Sequence, residues 1–274
     1  MGLLTDMLHS GQDRVAEARE RVPDAALRAA ALATPPPPPL RLAARGFDLI
    51  AELKLRSPSL GDLSAATLDP VQRLEGYAEG GAAACSILTE PTRFDGDLEH
   101  LRLAADTLLP FAVPAMRKDF LVDPYQVLEA RAYGASGVLL IVRMVPRVQL
   151  VAMLDCAAEH GLFVLLEAFD ADDLEVAASI AREREGRTEQ VLMGLNCRDL
   201  ETLAIDPQRF AELRGRLPPQ WPAVAESGVQ TPEDAARVAR LGYRMVLVGT
   251  SLMRRPDPAQ AVRELLEAGR KALP

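Results

Sequence analysis

After Gly46 the chain alternates short apolar runs with longer amphipathic segments, and this alternation constrains the fold more than any other feature of the sequence. Eight of the apolar runs have the length and composition of strands. Continuous apolar strands separated by helices are typical of a parallel sheet covered by helices, because both faces of such a sheet are buried. The predicted strands cover residues 48–53, 84–88, 111–116, 137–142, 163–167, 191–195, 223–225 and 245–248.

Two architectures fit this alternation, a closed barrel and an open doubly wound sheet. The chain has 274 residues, close to the roughly 250 that are usual for an eight-fold barrel. No G-x-G-x-x-G sequence follows the first strand, and charged residues follow many strands instead of meeting at one switch point. We therefore predict an α/β fold, the (β/α)8 TIM barrel, as a single catalytic domain over residues 46–274.

Residues 1–45 precede the predicted barrel and differ from it in composition. The stretch 3–33 is rich in Ala, Arg, Glu and Leu, as surface helices are, and it stops at the consecutive prolines 35–39. Proline cannot continue a helix, and a proline run adopts an extended form. We interpret the run as a linker, the alternative being a proline-recognition ligand. The sequence thus predicts an N-terminal helical extension on or over the main fold.

Several helix starts are marked by a capping side chain directly before a proline. This order suits the first turn of a helix, where the missing N–H of proline has no intrahelical partner to lose. Each of these pairs is expected to open a crossover helix. They are Asp69-Pro70, Asp123-Pro124, Asp206-Pro207 and Thr231-Pro232.

Charge and cysteine content limit the compartment and the partners. The net charge of -8 argues against a broad nucleic-acid surface, which needs clustered Lys and Arg. Cys85, Cys156 and Cys197 form neither a CxxC pair nor a disulfide framework, as expected in a reducing cytoplasm. The N-terminal segment does not read as a secretory signal, and the longest apolar run, 138–142, is far shorter than a bilayer span. We predict a cytoplasmic protein that binds neither nucleic acid nor membrane.

Ionisable side chains recur at the carboxyl ends of predicted strands. Glu52 and Lys54 share one face of the first strand, Lys118 follows the third strand and Glu167 ends the fifth. Barrel active sites are built from several strand ends at one face, so we expect one shared site. A nearby cation and burial should lower the pKa of Lys118 and make it a usable general acid, whereas Glu167 suits general-base work. A self-neutralising Glu52–Lys54 pair and ordinary solvated strand ends are the alternatives.

Further polar groups follow the third and sixth strands. Arg117 and Asp119 face away from Lys118 and could pair with each other. Asn196 and Arg198 share a face, and an amide and a guanidinium there could orient a carboxylate or a phosphate.

Two glycine-containing turns follow the last two strands, Glu226-Ser227-Gly228 and Gly249-Thr250-Ser251. Glycine lets backbone N–H groups approach an anion, and the loops after the seventh and eighth strands are the usual phosphate site of a barrel. Two ordinary tight turns are the alternative. No histidine or cysteine has metal-ligand spacing, so no metal is expected.

Seven motifs occur in order and cover nearly everything from residue 48 to 260. They are IAELK at 50–54 with SPS at 57–59, LTEP at 88–91 with Phe94 and Gly96, RKDF at 117–120 with Asp123, Tyr125 and Gln126, EAR at 129–131 with Gly134 and Ala135, Asn196 with RDL at 198–200, AESG at 225–228, and VGTSLM at 248–253. Together they closely resemble the indole-3-glycerol phosphate synthase family, lyases of the tryptophan pathway.

The resemblance implies a barrel with a helical extension over its mouth. The expected reaction converts 1-(2-carboxyphenylamino)-1-deoxyribulose 5-phosphate to indole-3-glycerol phosphate, carbon dioxide and water. No cofactor or metal is expected. The expected partner is this small phosphosugar-anthranilate substrate, and we expect a monomer.

The resemblance also implies a role for each matching residue. Lys118 would be the general acid for ring closure, and Glu167 the base or proton partner in dehydration. Lys54 would hold an anionic group and act as the later acid, with Glu52 and Asn196 orienting the reacting centre. The remaining implied ligands are Ser57, Arg198, Glu226 and Ser227 for the substrate and Gly228, Gly249 and Thr250 for its phosphate.

Some positions depart from the family pattern. They are Leu60, where a polar or basic residue is common, Cys197, where Asn or Ser is common, and Leu55-Arg56, which replaces a more polar pair. None removes a proposed catalytic group. A different phosphosugar barrel such as phosphoribosylanthranilate isomerase would use Cys and Asp, whereas the first strand here ends in Glu-x-Lys. A catalytically inactive scaffold is the other alternative, but every charged group that the reaction requires is present.

Overall fold

The computed structural model describes residues 2–44, 46–54, 69–200 and 202–273, and the backbone of 56–57 and 61–62. Its strands are β1 (Asp48–Leu53), β2 (Arg56–Ser57), β3 (Gly61–Asp62), β4 (Ala84–Leu88), β5 (Ala115–Lys118), β6 (Gly137–Ile141), β7 (Phe163–Ala168), β8 (Val191–Asn196), β9 (Ala223–Glu226) and β10 (Met245–Val248).

Eight of these strands form a closed barrel in the order β1-β10-β9-β8-β7-β6-β5-β4, and β2 pairs with β3 outside it. The barrel pairs are all parallel, and β1 closes the ring between β10 and β4. Nearly every barrel-strand residue is buried, as expected for strands enclosed by helices outside and by packed side chains within. The predicted (β/α)8 TIM barrel is confirmed.

Helices surround the barrel and precede it. Among the described residues they are α1 (Leu3–Arg21), α2 (Asp24–Ala33), α3 (Pro70–Glu79), α4 (Pro91–Phe94), α5 (Leu98–Leu108), α6 (Pro124–Ala132), α7 (Arg147–Glu159), α8 (Ala171–Glu183), α9 (Arg209–Leu213), α10 (Pro232–Arg240), α11 (Thr250–Met253) and α12 (Pro258–Lys271). Short 3-10 turns lie at Leu109–Phe111 and Arg214–Arg216. None of the described helices combines the length and the apolar character that crossing a bilayer requires.

The predicted strands agree with the structure to within one residue at each end, except the third. We predicted 111–116, but β5 begins at Ala115. Phe111 ends a 3-10 turn, and Ala112 then takes the left-handed conformation with φ 54°. The prediction therefore mistook the apolar Phe111, which lies between two prolines, for the start of the strand.

Three of the four predicted helix starts are confirmed. Asp69 and Asp123 accept hydrogen bonds from the first turns of α3 and α6, and Thr231 forms a capping box with Asp234 at the start of α10. The fourth prediction was wrong by two residues, because α9 begins at Arg209. Asp206 instead accepts a hydrogen bond from the backbone N–H of Gln208, which closes a turn before the helix.

The N-terminal extension is two helices where one was predicted. Val22 ends α1 in an extended conformation, and α2 starts after Pro23. A proline removes a helix hydrogen bond and disfavours helical geometry in the residue before it, so the helix breaks there. The prolines 35–39 form neither helix nor strand, and the Pro35 carbonyl accepts a hydrogen bond from Arg131 on α6.

Candidate active site

A cavity of about 550 Å³ lies at the carboxyl ends of the barrel strands. Because parallel strands all end at the same face, residues far apart in sequence meet there. Ten of the predicted site residues line it: Glu52, Lys54, Lys118, Glu167, Asn196, Arg198, Glu226, Ser227, Gly249 and Thr250. The side chain of Ser57 lies outside the described residues.

Gly228 is the predicted site residue that the structure places away from the cavity wall. A Cβ at this position would lie 2.5 Å from the Phe210 ring and 2.7 Å from Cys197 Sγ. The glycine thus lets the turn after β9 pack against these two side chains, and its predicted contact with phosphate remains a prediction.

The first-strand pair forms an ion pair inside the cavity. Lys54 Nζ lies 2.9 Å from Glu52 Oε1. Burial opposes the charge on Glu52, but Lys54, Lys118 and Arg198 outweigh it and lower the pKa of Glu52. A Cβ at Gly249 would overlap Glu52 Oε1 and lie 3.1 Å from Lys54 Nζ. Gly249 therefore leaves the space that this pair occupies.

Lys118 on β5 faces a carboxylate on β7, the next strand but one in the barrel. Its Nζ lies 3.7 Å from Glu167 Oε2. Burial works against the ammonium charge, but attraction by Glu167, Glu52 and Glu226 outweighs it and raises the pKa of Lys118. The sequence-based expectation of a lowered pKa was wrong, because it counted the second lysine and not the carboxylates around it. Lys118 is a protonated group at neutral pH and can donate a proton.

Glu226 is the carboxyl group whose surroundings are least suited to a charge. It is buried, and within the described part of the chain neither of its carboxylate oxygens receives a hydrogen bond. Burial and the neighbouring Glu167 raise the pKa of Glu226 well above its usual value. The sequence around Glu226 did not indicate this raised pKa, because the side chains that cause it lie on other strands.

Behind Lys118 lies a buried ion-pair network. The predicted Arg117–Asp119 pair is present, with 3.1 Å between the closest atoms. Asp119 also accepts hydrogen bonds from Thr89 at 2.8 Å and from Arg14 on α1 at 2.8 and 2.9 Å. Burial alone would raise the pKa of Asp119, but Arg117 and Arg14 hold it well below its usual value. This network fixes the chain segment that carries Lys118.

The loop after β8 is held by its own polar groups. Asn196 Oδ1 accepts a hydrogen bond of 2.9 Å from the Arg198 backbone N–H. The Arg198 guanidinium donates to the Leu203 carbonyl at 3.1 Å, and Leu203 takes the left-handed conformation with φ 61°. These contacts place Arg198 in the cavity wall beside Asn196.

An apolar wall, which we did not predict, covers part of the cavity. Leu3 of α1 belongs to it, so the N-terminal extension reaches the site. The rings of Phe94 and Phe120 lie 6.3 Å apart between centroids and belong to the same wall. Both phenylalanines lie in motifs that carried the family resemblance. Those motifs were the sequence signal from which the wall could have been predicted. Such a wall can receive an aromatic ring of a ligand.

The chain is similar over nearly its whole length to the proteins of one family. The family model described as indole-3-glycerol phosphate synthase matches residues 4–265. A relative of that name from Nocardioides sp. is 43% identical over 270 residues, which are 97% of this chain and 98% of the relative. Another, from Methanopyrus kandleri, is 39% identical over 272 residues, 97% of this chain and 99% of the relative.

The chain belongs to the indole-3-glycerol phosphate synthase family. It therefore has the carboxy-lyase activity of that family in tryptophan biosynthesis, and its substrate is a small molecule. The cavity described above is the candidate active site for this activity.

Solved structures with low sequence identity share the fold of this family member. A 3-hexulose-6-phosphate synthase from Salmonella typhimurium has a TM-score of 0.64 at 14% identity, covering 82% of this chain and 100% of its own. The phosphoribosylanthranilate isomerase from Thermotoga maritima has a TM-score of 0.54 at 12% identity, covering 81% and 98%. These likenesses concern the barrel alone.

The described residues of this family member offer no cluster of metal ligands. No group of three or more His, Cys, Asp or Glu side chains there could hold a metal ion. Operation without a metal or another cofactor remains a prediction.

Proposed function

We propose that the cavity carries out ring closure, decarboxylation and dehydration of 1-(2-carboxyphenylamino)-1-deoxyribulose 5-phosphate, with the residue roles given below. The observation that carries the proposal is the position of Lys118, an ammonium group facing Glu167 at 3.7 Å in a cavity with an apolar wall. Ring closure needs a proton donor at a ketone, and dehydration needs a nearby proton acceptor.

Lys118 is the general acid for ring closure. When the anthranilate ring carbon attacks the ketone, negative charge develops on the ketone oxygen. An alkoxide is a stronger base than an amine, so proton transfer from Lys118 is favourable even though its pKa is raised. The raised pKa also keeps the donor protonated throughout the neutral range.

Lys54, Glu52 and Glu167 serve the later steps. After the carboxylate has left as carbon dioxide, Lys54 donates a proton to the departing hydroxyl group, and Glu167 accepts the proton lost from the adjacent ring carbon. Glu52 keeps Lys54 in place through their 2.9 Å ion pair. Asn196 orients the reacting centre from the neighbouring wall.

The two ends of the substrate need different surroundings. The apolar wall with Phe94 and Phe120 suits the aromatic ring. The phosphate lies at the turns after β9 and β10, where Ser227 with φ 69° and Gly249 shape the backbone and Thr250 begins α11. Arg198, Ser227, Glu226 and Ser57 contact the rest of the substrate, and Gly228 contributes a backbone N–H to the phosphate.

The proposal also includes the domain organisation, the compartment, the oligomeric state and the partners of the protein. Residues 1–45 act as an extension of one catalytic domain formed by 46–274, and the protein is a cytoplasmic monomer without nucleic-acid or membrane partners. The acidic charge of -8 supports the absence of a nucleic-acid partner. The three cysteines are all free and buried, as suits a reducing compartment.

Product analysis tests the proposal against an isomerase reaction. The purified protein is incubated with the carboxyphenylamino substrate, and indole product and carbon dioxide are both measured. We expect one carbon dioxide for each indole product, because ring closure and decarboxylation belong to one turnover. Consumption of substrate without release of carbon dioxide would refute the proposed reaction.

A further inference from the structure

Glu52 and Glu167 each form an ion pair with a lysine of the cavity, whereas Glu226 has no ion pair among the described residues. Lys54 lies 2.9 Å from Glu52, and Lys118 lies 3.7 Å from Glu167. Within the described part of the chain, Glu226 forms no ion pair and its oxygens have no hydrogen-bond partner. A buried carboxylate in this situation is costly unless it carries a proton.

Gly194 brings Glu226 next to Glu167. In the barrel, Gly194 on β8 is the register partner of Glu167 on β7. A Cβ at Gly194 would overlap Glu226 Oε1, so this oxygen fills the space above the glycine. Neighbouring strands lie about 4.8 Å apart. The Glu226 carboxyl therefore lies beside the Glu167 carboxyl, within hydrogen-bonding reach.

Two ionised carboxylates cannot remain side by side here at low cost. Glu226 and Glu167 are only 1% and 2% exposed, so water screens their repulsion poorly. Glu167 Oε2, like both oxygens of Glu226, lacks a hydrogen-bond donor among the described residues. One proton between the two groups removes the repulsion and supplies a donor to one of these oxygens, on Glu167.

We propose that Glu226 and Glu167 hold one proton between them in the resting enzyme, and that this proton lies on Glu226 and is donated in a hydrogen bond to Glu167. The inference rests on the proposed function, in which Glu226 contacts the substrate, and gives Glu226 a second role as the residue that positions Glu167. The raised pKa of Glu226, caused by burial and by Glu167, agrees with this geometry.

The other groups that face Glu226 determine which carboxyl keeps the proton. Lys118 on β5 has its Nζ 3.7 Å from Glu167 Oε2 and also attracts the ionised form of Glu226, while Glu52 on β1 adds a negative charge that opposes this attraction. In the sheet itself, Glu226 is paired with Asn196 on β8 and Leu247 on β10, which carry no charge. Because the ammonium group pairs with Glu167 and Glu226 has no ion pair among the described residues, we place the proton on Glu226 and leave Glu167 as the proton acceptor.

The proton count of the reaction shows what this arrangement does. Lys118 gives one proton to the ketone oxygen as the new carbon–carbon bond forms, and the bond to the carboxylate breaks as carbon dioxide leaves. Lys54 gives a second proton to the hydroxyl group, which leaves as water, while Glu167 takes one from the adjacent ring carbon. Solvent supplies the net proton, because a carboxylate departs as neutral carbon dioxide. Glu226 keeps Glu167 ready and correctly placed to accept.

Two substitutions separate a protonated Glu226 from an ionised one. Glu226→Gln keeps the shape and a hydrogen-bond donor, whereas Glu226→Ala removes both. We expect kcat of E226A to fall about 10- to 100-fold below that of E226Q, the effect of one hydrogen bond to a charged group. In wild type, kcat should decline at alkaline pH as the pair loses its proton. In E226Q, which has no such proton to lose, the decline should move to higher pH.

Infrared spectra of the wild type supply a second readout that does not depend on activity. A protonated-carboxyl band should persist well above the usual titration range of glutamate and should be absent from E226Q. E226Q as slow as E226A with an unchanged alkaline limb, or a wild type without this band, would overturn the inference. If the wild type itself forms no indole product, the proposed function fails, whereas the infrared result still decides the shared proton.

Discussion

Arg14 on helix α1 binds the Asp119 carboxylate through two nitrogens, at 2.9 and 2.8 Å, and Asp119 directly follows Lys118 in the chain. The N-terminal extension is thereby tied to the strand that carries the proposed general acid. Arg117 binds the same carboxylate from the barrel side at 3.1 Å. Arg14 and Asp119 are 105 positions apart in the chain. Their contact therefore joins the extension to the barrel, and each stabilises the other at the edge of the active site.

Arg14→Gln should destabilise the protein by about 1–3 kcal/mol, since hydrogen bonds to a buried charged group are lost. The matched control is Arg19→Gln, which breaks exposed pairs with Asp24 and Asp123 and should cost less than about 1 kcal/mol. Denaturant unfolding of both variants at pH 7 measures the difference. Equal losses in the two variants would show that the Asp119 network adds nothing.

The Arg14 contribution should also depend on pH. The pKa of Asp119 is held well below its usual value, so its ion pairs stabilise the fold above about pH 4, the range of an unfolded aspartate. This stabilisation should be lost as the pH falls below that range. Unfolding experiments at pH 7 and pH 3 should therefore show a smaller gap between wild type and Arg14→Gln at pH 3. An undiminished gap contradicts the assignment.

Glu167→Gln should lower kcat and kcat/KM together while KM stays near that of the wild type. The amide keeps the size of the side chain but cannot accept a proton, so only the transition state is affected. Glu175→Gln, on the exposed face of α8, is the control and should behave as wild type. Steady-state kinetics decide the matter, and a raised KM with unchanged kcat would make Glu167 a binding residue.

Gly249→Ala should reduce kcat/KM by about 10²-fold, because the new methyl group overlaps Glu52 Oε1 and displaces the Glu52–Lys54 pair. Gly215→Ala is the matched control, since a Cβ there meets no atom within 4 Å. Kinetics and circular dichroism on both variants test this. A Gly249→Ala enzyme with wild-type kinetics would mean that the pair tolerates displacement.

Much of this arrangement could be predicted from the sequence, because it depends on local patterns. Continuous apolar runs predicted the barrel strands, and the capping side chains of Asp69, Asp123 and Thr231 predicted helix starts. The charges at Glu52 and Lys118 stand out because they end apolar strands. The break before Pro23 could have been predicted from the proline itself, but helix-forming residues on both sides led us to treat the two segments as one.

The features that the sequence did not predict depend on contacts between distant elements. The raised pKa of Lys118 comes from carboxylates on three other strands, and the state of Glu226 depends on Gly194 and Glu167. Arg14 lies on a helix whose composition indicates only a surface position. Closure of the barrel brings these groups together, and no local pattern records which residues meet.

Inorganic phosphate should inhibit competitively with the substrate, and chelators should leave activity unchanged. In the proposed function, backbone N–H groups of the turns after β9 and β10 hold the phosphate, and such a site works without a divalent ion. Inhibition kinetics with phosphate, with and without EDTA, check this. Activity that disappears with EDTA and returns with a divalent ion contradicts the prediction.

The most direct test of the central claim is the turnover of Lys118→Met beside that of the wild type, followed by the fluorescence of the indole product. Methionine fills the same volume but cannot donate a proton. Circular dichroism of both proteins controls for folding. We predict rapid product formation by the wild type and a loss of about 10² to 10⁴ in kcat for the variant. A correctly folded Lys118→Met protein with wild-type turnover would contradict the account.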